Sequence, residues 1–181
     1  TNPDKTLIAA LLDRSGSMKT SKRATEDGWR ELIVEQRRQP GECEVTLAQF
    51  DTVYELVYPP TDIGSVPEFV VAPRGMTALL DSTGRFITEI GERLSALPED
   101  ERPGQVICMI MTDGMENASH EWSWDAVKQL ITNQRTQWNW KFLFIGANID
   151  AVQVGAQMGF AAGDSITYDD SHYESTVAVM A

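Results

Sequence analysis

The chain has 181 residues, 42% of them hydrophobic and 23% charged, with a formal net charge of −12. That length suits a single domain, residues 1–181, with a well-filled core, and so acidic a surface repels phosphates, which excludes a nucleic-acid partner. No apolar run reaches the roughly 20 residues that a membrane-spanning helix needs, so no membrane insertion is expected.

Thr6–Leu12 is nearly all apolar and lacks a basic leader and a small-residue cleavage site, so it reads as a buried parallel strand rather than a signal peptide. The chain starts without Met, which leaves open whether a leader was removed. Residues 19–38 form a charged, helix-favouring stretch that Pro40-Gly41 stops. Cys43–Phe50 and Val53–Tyr58 alternate around the short connection Asp51-Thr52, the pattern of an antiparallel hairpin, and Pro59-Pro60 is expected to end the pairing. Residues 61–76, with Pro67, Pro73 and Gly75, read as a loop. Leu79, Leu80, Thr83, Phe86, Ile87, Ile90, Leu94 and Leu97 then recur at three- and four-residue steps, which marks an amphipathic helix.

Val106–Met111 reads as a second buried strand. Trp124, Val127, Leu130 and Ile131 mark a further helix, Lys141–Ile145 a third buried strand, residues 150–158 a short helix and Ser165–Tyr168 a weak last strand. Strands alternating with helices, plus one hairpin, define an α/β fold. The expected form is a doubly wound, mostly parallel six-stranded sheet in the order 3-2-1-4-5-6, with one antiparallel edge strand and helices on both faces. Cys43 and Cys108 sit inside strand patterns, as buried free thiols of a reducing, cytoplasmic compartment would.

The strand order places a topological switch point between the first and fourth strands, where open α/β sheets bind ligands. Asp13 directly follows the first strand, and Asp113 follows the fourth after Thr112. Asp13 opens the run Asp13-Arg14-Ser15-Gly16-Ser17-Met18, whose alternating oxygen donors can turn toward one point, with Gly16 permitting the tight loop. Two carboxylates and two hydroxyls form a hard, all-oxygen set that suits Mg²⁺, Mn²⁺ or Ca²⁺ and not zinc. Helix capping is the plainer use of an Asp-x-Ser-x-Ser run; Asp113 on the neighbouring strand favours the metal.

Asp13-Arg14-Ser15-Gly16-Ser17 resembles the Asp-x-Ser-x-Ser signature of von Willebrand factor type A (integrin I-like) domains, of bacterial or phage type. The resemblance runs from Leu7 to about Gly163. It implies a fifth ligand, Thr77 in Gly75-Met76-Thr77-Ala78-Leu79, and matches the family's second aspartate to Asp113. It further implies a Rossmann-like fold and a metal-ion-dependent adhesion site, with Ser15, Ser17 and Thr77 on the cation and Asp13 and Asp113 acting through water. Five protein groups leave a position on an octahedral Mg²⁺ for water or for a partner's Asp or Glu. The expected function is therefore a monomeric protein-binding module without catalysis. A hydrolase or phosphatase using the same metal, or a regulatory subunit of a chelatase- or ATPase-type complex, are the alternatives.

Other features take plainer readings. Arg14 is expected as a solvated rim charge, with contact to an acidic partner as its alternative. Glu116 is expected as a loop carboxylate and His120 as a surface residue. Gly163-Asp164-Ser165-Ile166 with Asp169-Asp170-Ser171-His172 imitates an esterase motif, but in the wrong order and too close together for that chemistry. Trp122, Trp124, Trp138 and Trp140 are expected mainly in core or half-core positions, with a partner-binding patch as the alternative.

Overall fold

The computed structural model describes residues 1–168. Six strands form one sheet: β1 (Asn2–Asp13), β2 (Glu42–Phe50), β3 (Tyr54–Asp62), β4 (Pro103–Thr112), β5 (Lys141–Ala147) and β6 (Ser165–Tyr168). Their order is β3-β2-β1-β4-β5-β6, as the sequence pattern predicts. All neighbours are parallel except β2 and β3. Four helices connect them: α1 (Lys22–Gln36), α2 (Leu79–Ala96), α3 (Trp124–Trp138) and α4 (Ala151–Met158). Among the described residues, no helix is long and apolar enough to cross a membrane.

β1 shows why the sheet is covered on both faces. Successive side chains on a strand point to opposite sides, so Leu7, Ala9 and Leu11 enter one core while Ile8, Ala10 and Leu12 enter the other. The first core is closed by Leu79, Phe86 and Ile87 of α2, Val127 and Ile131 of α3, and Val154 and Met158 of α4. The second is closed by Trp29, Leu32 and Ile33 of α1, with Phe69 and Val71 of the loop after β3. Each large side chain so buried contributes about 1.5–3 kcal/mol. α2 ends before Leu97-Pro98, because the residue before a proline is pushed out of helical geometry.

Two sequence expectations fail here. β3 does not stop at Pro59-Pro60; it pairs on to Thr61 and Asp62, with register shifts around Leu47. β3 is the edge strand, where a missing N–H is tolerated, and the irregularity absorbs the rest. Cys43, expected buried, is half-buried near the start of β2, while Cys108 is fully enclosed; both are free thiols.

Candidate metal centre

β1 and β4 lie side by side with Leu12 paired to Met111, so Asp13 and Thr112 emerge together at the carboxyl end of the sheet. The Thr112 hydroxyl donates to Asp13 Oδ2 at 2.5 Å, and the Ser15 N–H donates to Asp13 Oδ1 at 2.6 Å. Asp13 is wholly buried. That burial pushes its pKa up to about 6, against the lowering effect of the Thr112 and Ser15 hydrogen bonds and with a further raise from the nearby Asp113 charge. A cation bound close by would stabilise the ionised form of so deeply buried an acid.

The hydroxyls lie on the outer side of Asp13. Ser15 Oγ and Ser17 Oγ are 3.2 Å apart, and Ser17 Oγ donates to Asp113 Oδ1 at 2.7 Å. Thr77 arrives from the loop before α2. A Cβ built on Gly114 would lie 2.9 Å from Thr77 Oγ1, 3.5 Å from Ser17 Oγ and 3.7 Å from Ser15 Oγ. Three hydroxyl oxygens thus converge on one small space, beside Asp113 and above Asp13. All five residues singled out in the sequence come together. Among the described residues no three His, Cys, Asp or Glu side chains gather in a metal-binding cluster; this donor set is mostly hydroxyl, and every donor is oxygen. Such a set fits a hard divalent cation.

Two further layers hold the loops in place. Arg14, expected at the solvated rim, is instead buried, its Nε 3.0 Å from Asp51 Oδ2 and its Nη1 2.8 Å from Glu55. The strand end turns Arg14 inward over β2, where its own N–H meets Phe50 O. Asp51, also buried, accepts from Arg74 Nε at 2.7 Å and from the Val53 N–H at 2.6 Å. Burial works to raise the Asp51 pKa, but the Arg74 and Val53 hydrogen bonds and the Arg14 and Arg74 charges outweigh it and hold the carboxyl below its usual range. Backbone bonds then tie the loops: Arg74 N–H to Arg14 O, Gly16 N–H to Gly75 O, and Ala78 N–H to Asp51 O. Gly75 makes this possible with φ at +69, a left-handed conformation beside the Asp51 side chain that favours glycine.

The second layer clamps Thr77 to the Asp113 loop. Asn117 Oδ1 accepts the Thr77 N–H at 2.9 Å, while the Asn117 N–H donates back to Thr77 O at 3.0 Å. Glu116 accepts from the N–H groups of Leu80, Ala118 and Ser119 and from the Ser119 hydroxyl. It is a loop carboxylate, as expected, but one engaged at the start of α2. Asp81 accepts the N–H groups of His120, Glu121 and Trp122. The only sequence signal for this clamp is the density of polar residues shortly after Asp113.

The remaining features lie away from the site. Trp122 and Trp124 pack partly buried on the core and Trp140 is buried. Trp138 is exposed and lines a cavity of about 300 Å³ with Pro103 and Gly104, at the opposite end of β4 from Asp113. His120 is exposed. The Ser165 hydroxyl donates to Ala161 O, and Asp169, Asp170, Ser171 and His172 lie outside the described residues.

Comparison with solved structures bears on this arrangement. Proximal thread matrix protein 1 from the mussel byssus, with a zinc-occupied MIDAS (metal-ion-dependent adhesion site) motif, aligns over 99% of this chain at TM-score 0.66 and 14% identity. The von Willebrand domain of the type V pili tip protein Mfa5 from Porphyromonas gingivalis aligns over 99% at TM-score 0.61 and 9% identity. The chain adopts the von Willebrand factor A fold. A von Willebrand A paralogue of ArnB from Sulfolobus acidocaldarius shares that fold at TM-score 0.61 and 18% identity over 97% of this chain. The chain spans 45% of the mussel protein and 44% of the Sulfolobus protein, but 95% of the Porphyromonas domain. No family model and no curated protein matches the sequence.

Proposed function

We propose that this von Willebrand A-fold chain is a metal-dependent protein-binding module, and that Ser15, Ser17 and Thr77 hold a divalent cation with Asp113 beside them and Asp13 behind. The observation that carries the reading is the convergence of three hydroxyls within 3.7 Å of one point at Gly114. Neutral hydroxyls orient a cation without quenching its charge, so a bound cation supplies an electrophilic centre for an anionic oxygen. Asp13 is too deeply buried to face a ligand; it orients Ser15 through the backbone and balances charge from behind. The captured group is an Asp or Glu of a partner protein, since a charge-assisted contact of this kind specifies a partner while the surrounding surface supplies affinity.

The module binds rather than catalyses. The carboxylates nearest the hydroxyls, Asp13 and Asp113, are already engaged by Thr112, Ser15 and Ser17. The mussel protein's zinc widens the cations to be tested beyond Mg²⁺, Mn²⁺ and Ca²⁺. The test is calorimetry of all four cations with the wild type and Thr77→Ala. One of them binds the wild type, and the variant binds it at least about tenfold more weakly with its fold retained. Failure of every cation to bind refutes the proposal.

A further inference from the structure

The end of the sheet opposite the metal centre holds a cavity of about 300 Å³ between the C-terminal ends of α2 and α3. Leu94, Pro103, Val106 and Trp140 give it an apolar wall, and Trp138 stands beside it, 63% exposed. A water molecule's share of volume is about 30 Å³, so the space matches about ten heavy atoms, the size of one large side chain. An exposed tryptophan next to an apolar hollow has the make-up of an interface anchor.

Polar groups at this cavity go unused within the protein. Trp140 is only 5% exposed, yet its indole N–H donates to no group among the described residues, where a buried tryptophan ordinarily finds a partner. The N–H is not sealed off in the core, so it opens on the cavity that Trp140 lines. The half-buried Gln134 amide, opposite Gly91, also makes no side-chain hydrogen bond among the described residues. Two charged side chains line the space. Arg102 is committed to the end of α2, donating to Ser95 O and Leu97 O at 2.9 Å each. The Glu99 carboxylate is exposed and pairs with nothing among the described residues, and Asp100 and Glu101 follow it on the same exposed turn. Lys141 points to the other face of the sheet, because strand side chains alternate and its neighbour Phe142 lies with Trp140 in the core against α2 and α3. Carboxylates beside an open indole face favour a cation.

We infer that this cavity docks a segment of a partner protein in which a tyrosine adjoins an arginine or lysine. The tyrosine ring fills the apolar hollow, where its hydroxyl accepts from Trp140 Nε1 and donates to Gln134 Oε1. The neighbouring cation lies over the Trp138 ring and meets the Glu99 carboxylate. None of this chain's four tyrosines, Tyr54, Tyr58, Tyr168 and Tyr173, stands next to a lysine or arginine. Neither a second copy of this sequence nor one of its own segments supplies the pair, so the occupant is a different protein. The site works independently of the metal.

The test titrates end-blocked peptides into the full chain in EDTA and follows the five tryptophan indole ¹H–¹⁵N signals. Ser-Arg-Tyr-Arg-Ser shifts the signals of Trp138 and Trp140. It binds about fivefold tighter than Ser-Arg-Phe-Arg-Ser, the worth of one hydrogen bond, and tighter by a similar factor than Ser-Gln-Tyr-Gln-Ser. Glu99→Gln and Trp138→Ala, both at exposed positions, each weaken Ser-Arg-Tyr-Arg-Ser at least about threefold, with the melting temperature kept within about 2 °C. A Trp140 signal that does not move, or full affinity in Trp138→Ala, overturns the inference. Equal binding of the tyrosine and phenylalanine peptides removes the role of the Trp140 N–H and overturns it too. Tyramine carries the same ring and a cation without a peptide backbone; if it binds as tightly as the peptide, the cavity belongs to a free aromatic amine and the partner segment is refuted.

Discussion

Adding one methyl group at Gly114 tests the hydroxyl cluster without removing any of its members. The new Cβ would stand 2.9 Å from Thr77 Oγ1, with Ser17 Oγ and Ser15 Oγ at ordinary contact distances of 3.5 and 3.7 Å. Carbon–oxygen contacts relax near 3.3 Å, so the Thr77 hydroxyl retreats by about 0.4 Å. Metal–ligand distances tolerate only about 0.2 Å. Thr77 is therefore lost as a well-placed ligand while Ser15 and Ser17 remain. A mis-set ligand costs about 10- to 100-fold in metal affinity, or roughly 1.4–2.8 kcal/mol. The fold survives, because Gly114 is outside the left-handed region and the atom that yields is the tip of a side chain. The assay is Mn²⁺ calorimetry on Gly114→Ala beside Gly163→Ala, where an added Cβ meets nothing within 4 Å. Melting in EDTA checks stability, with a change below about 3 °C expected. Affinity for Mn²⁺ unchanged in Gly114→Ala would show that the hydroxyls do not converge on the cation.

Asp51→Asn leaves the Arg14 guanidinium buried with a single charged partner, the exposed Glu55, and costs about 3 kcal/mol at pH 7 in urea unfolding. Because the folded pKa of Asp51 is depressed, this stabilisation is complete above the ordinary carboxylate value near 3.9 and drains away as pH falls through the lower folded value. The gap between wild type and variant thus holds from about pH 5 upward and narrows below about pH 4; a gap unchanged at lower pH refutes the pairing. Gly84→Ala drives a Cβ into the Trp122 ring, well inside contact distance, so the indole is displaced. We expect a loss of about 1–3 kcal/mol and a red-shifted tryptophan emission, and an unaltered spectrum would contradict the packing. Glu116→Ala orphans the N–H groups of Leu80, Ala118 and Ser119; stability drops by about 2–3 kcal/mol and Mn²⁺ affinity by about tenfold. Glu116→Gln, which keeps an acceptor, loses less of both. Equal behaviour of the two variants argues against the clamp.

The strand order was legible because hydrophobic periodicity and chain handedness act over whole segments. The all-apolar Leu7–Leu12 run, the hairpin around Asp51-Thr52 and even the four residues of β6 follow from that. So does the meeting of Asp13 and Asp113, which depends only on adjacent parallel strands ending together. Thr77 was legible through family resemblance alone, since no periodicity announces a loop hydroxyl. What sequence reasoning missed is pairwise and distant. Arg14 reads as a surface charge until Asp51 and Glu55, 37 and 41 residues away, turn up beneath it. Glu116 looks like any loop acid until the first turn of α2 presents its free N–H groups. Pro59-Pro60 reads as a stop because the rule against strand prolines is weaker at an edge than in the middle of a sheet.

Those same prolines limit how the molecule can associate. Pro59 and Pro60 carry no N–H, and they fall where the pairing of β3 with β2 shifts register, so the strand is interrupted there. A further strand cannot extend unbroken hydrogen bonding along that margin, which guards against runaway stacking of one copy on the next. Polymerisation by adding a strand beside β3 is thereby discouraged, and any lasting contact on that flank must rest on side chains.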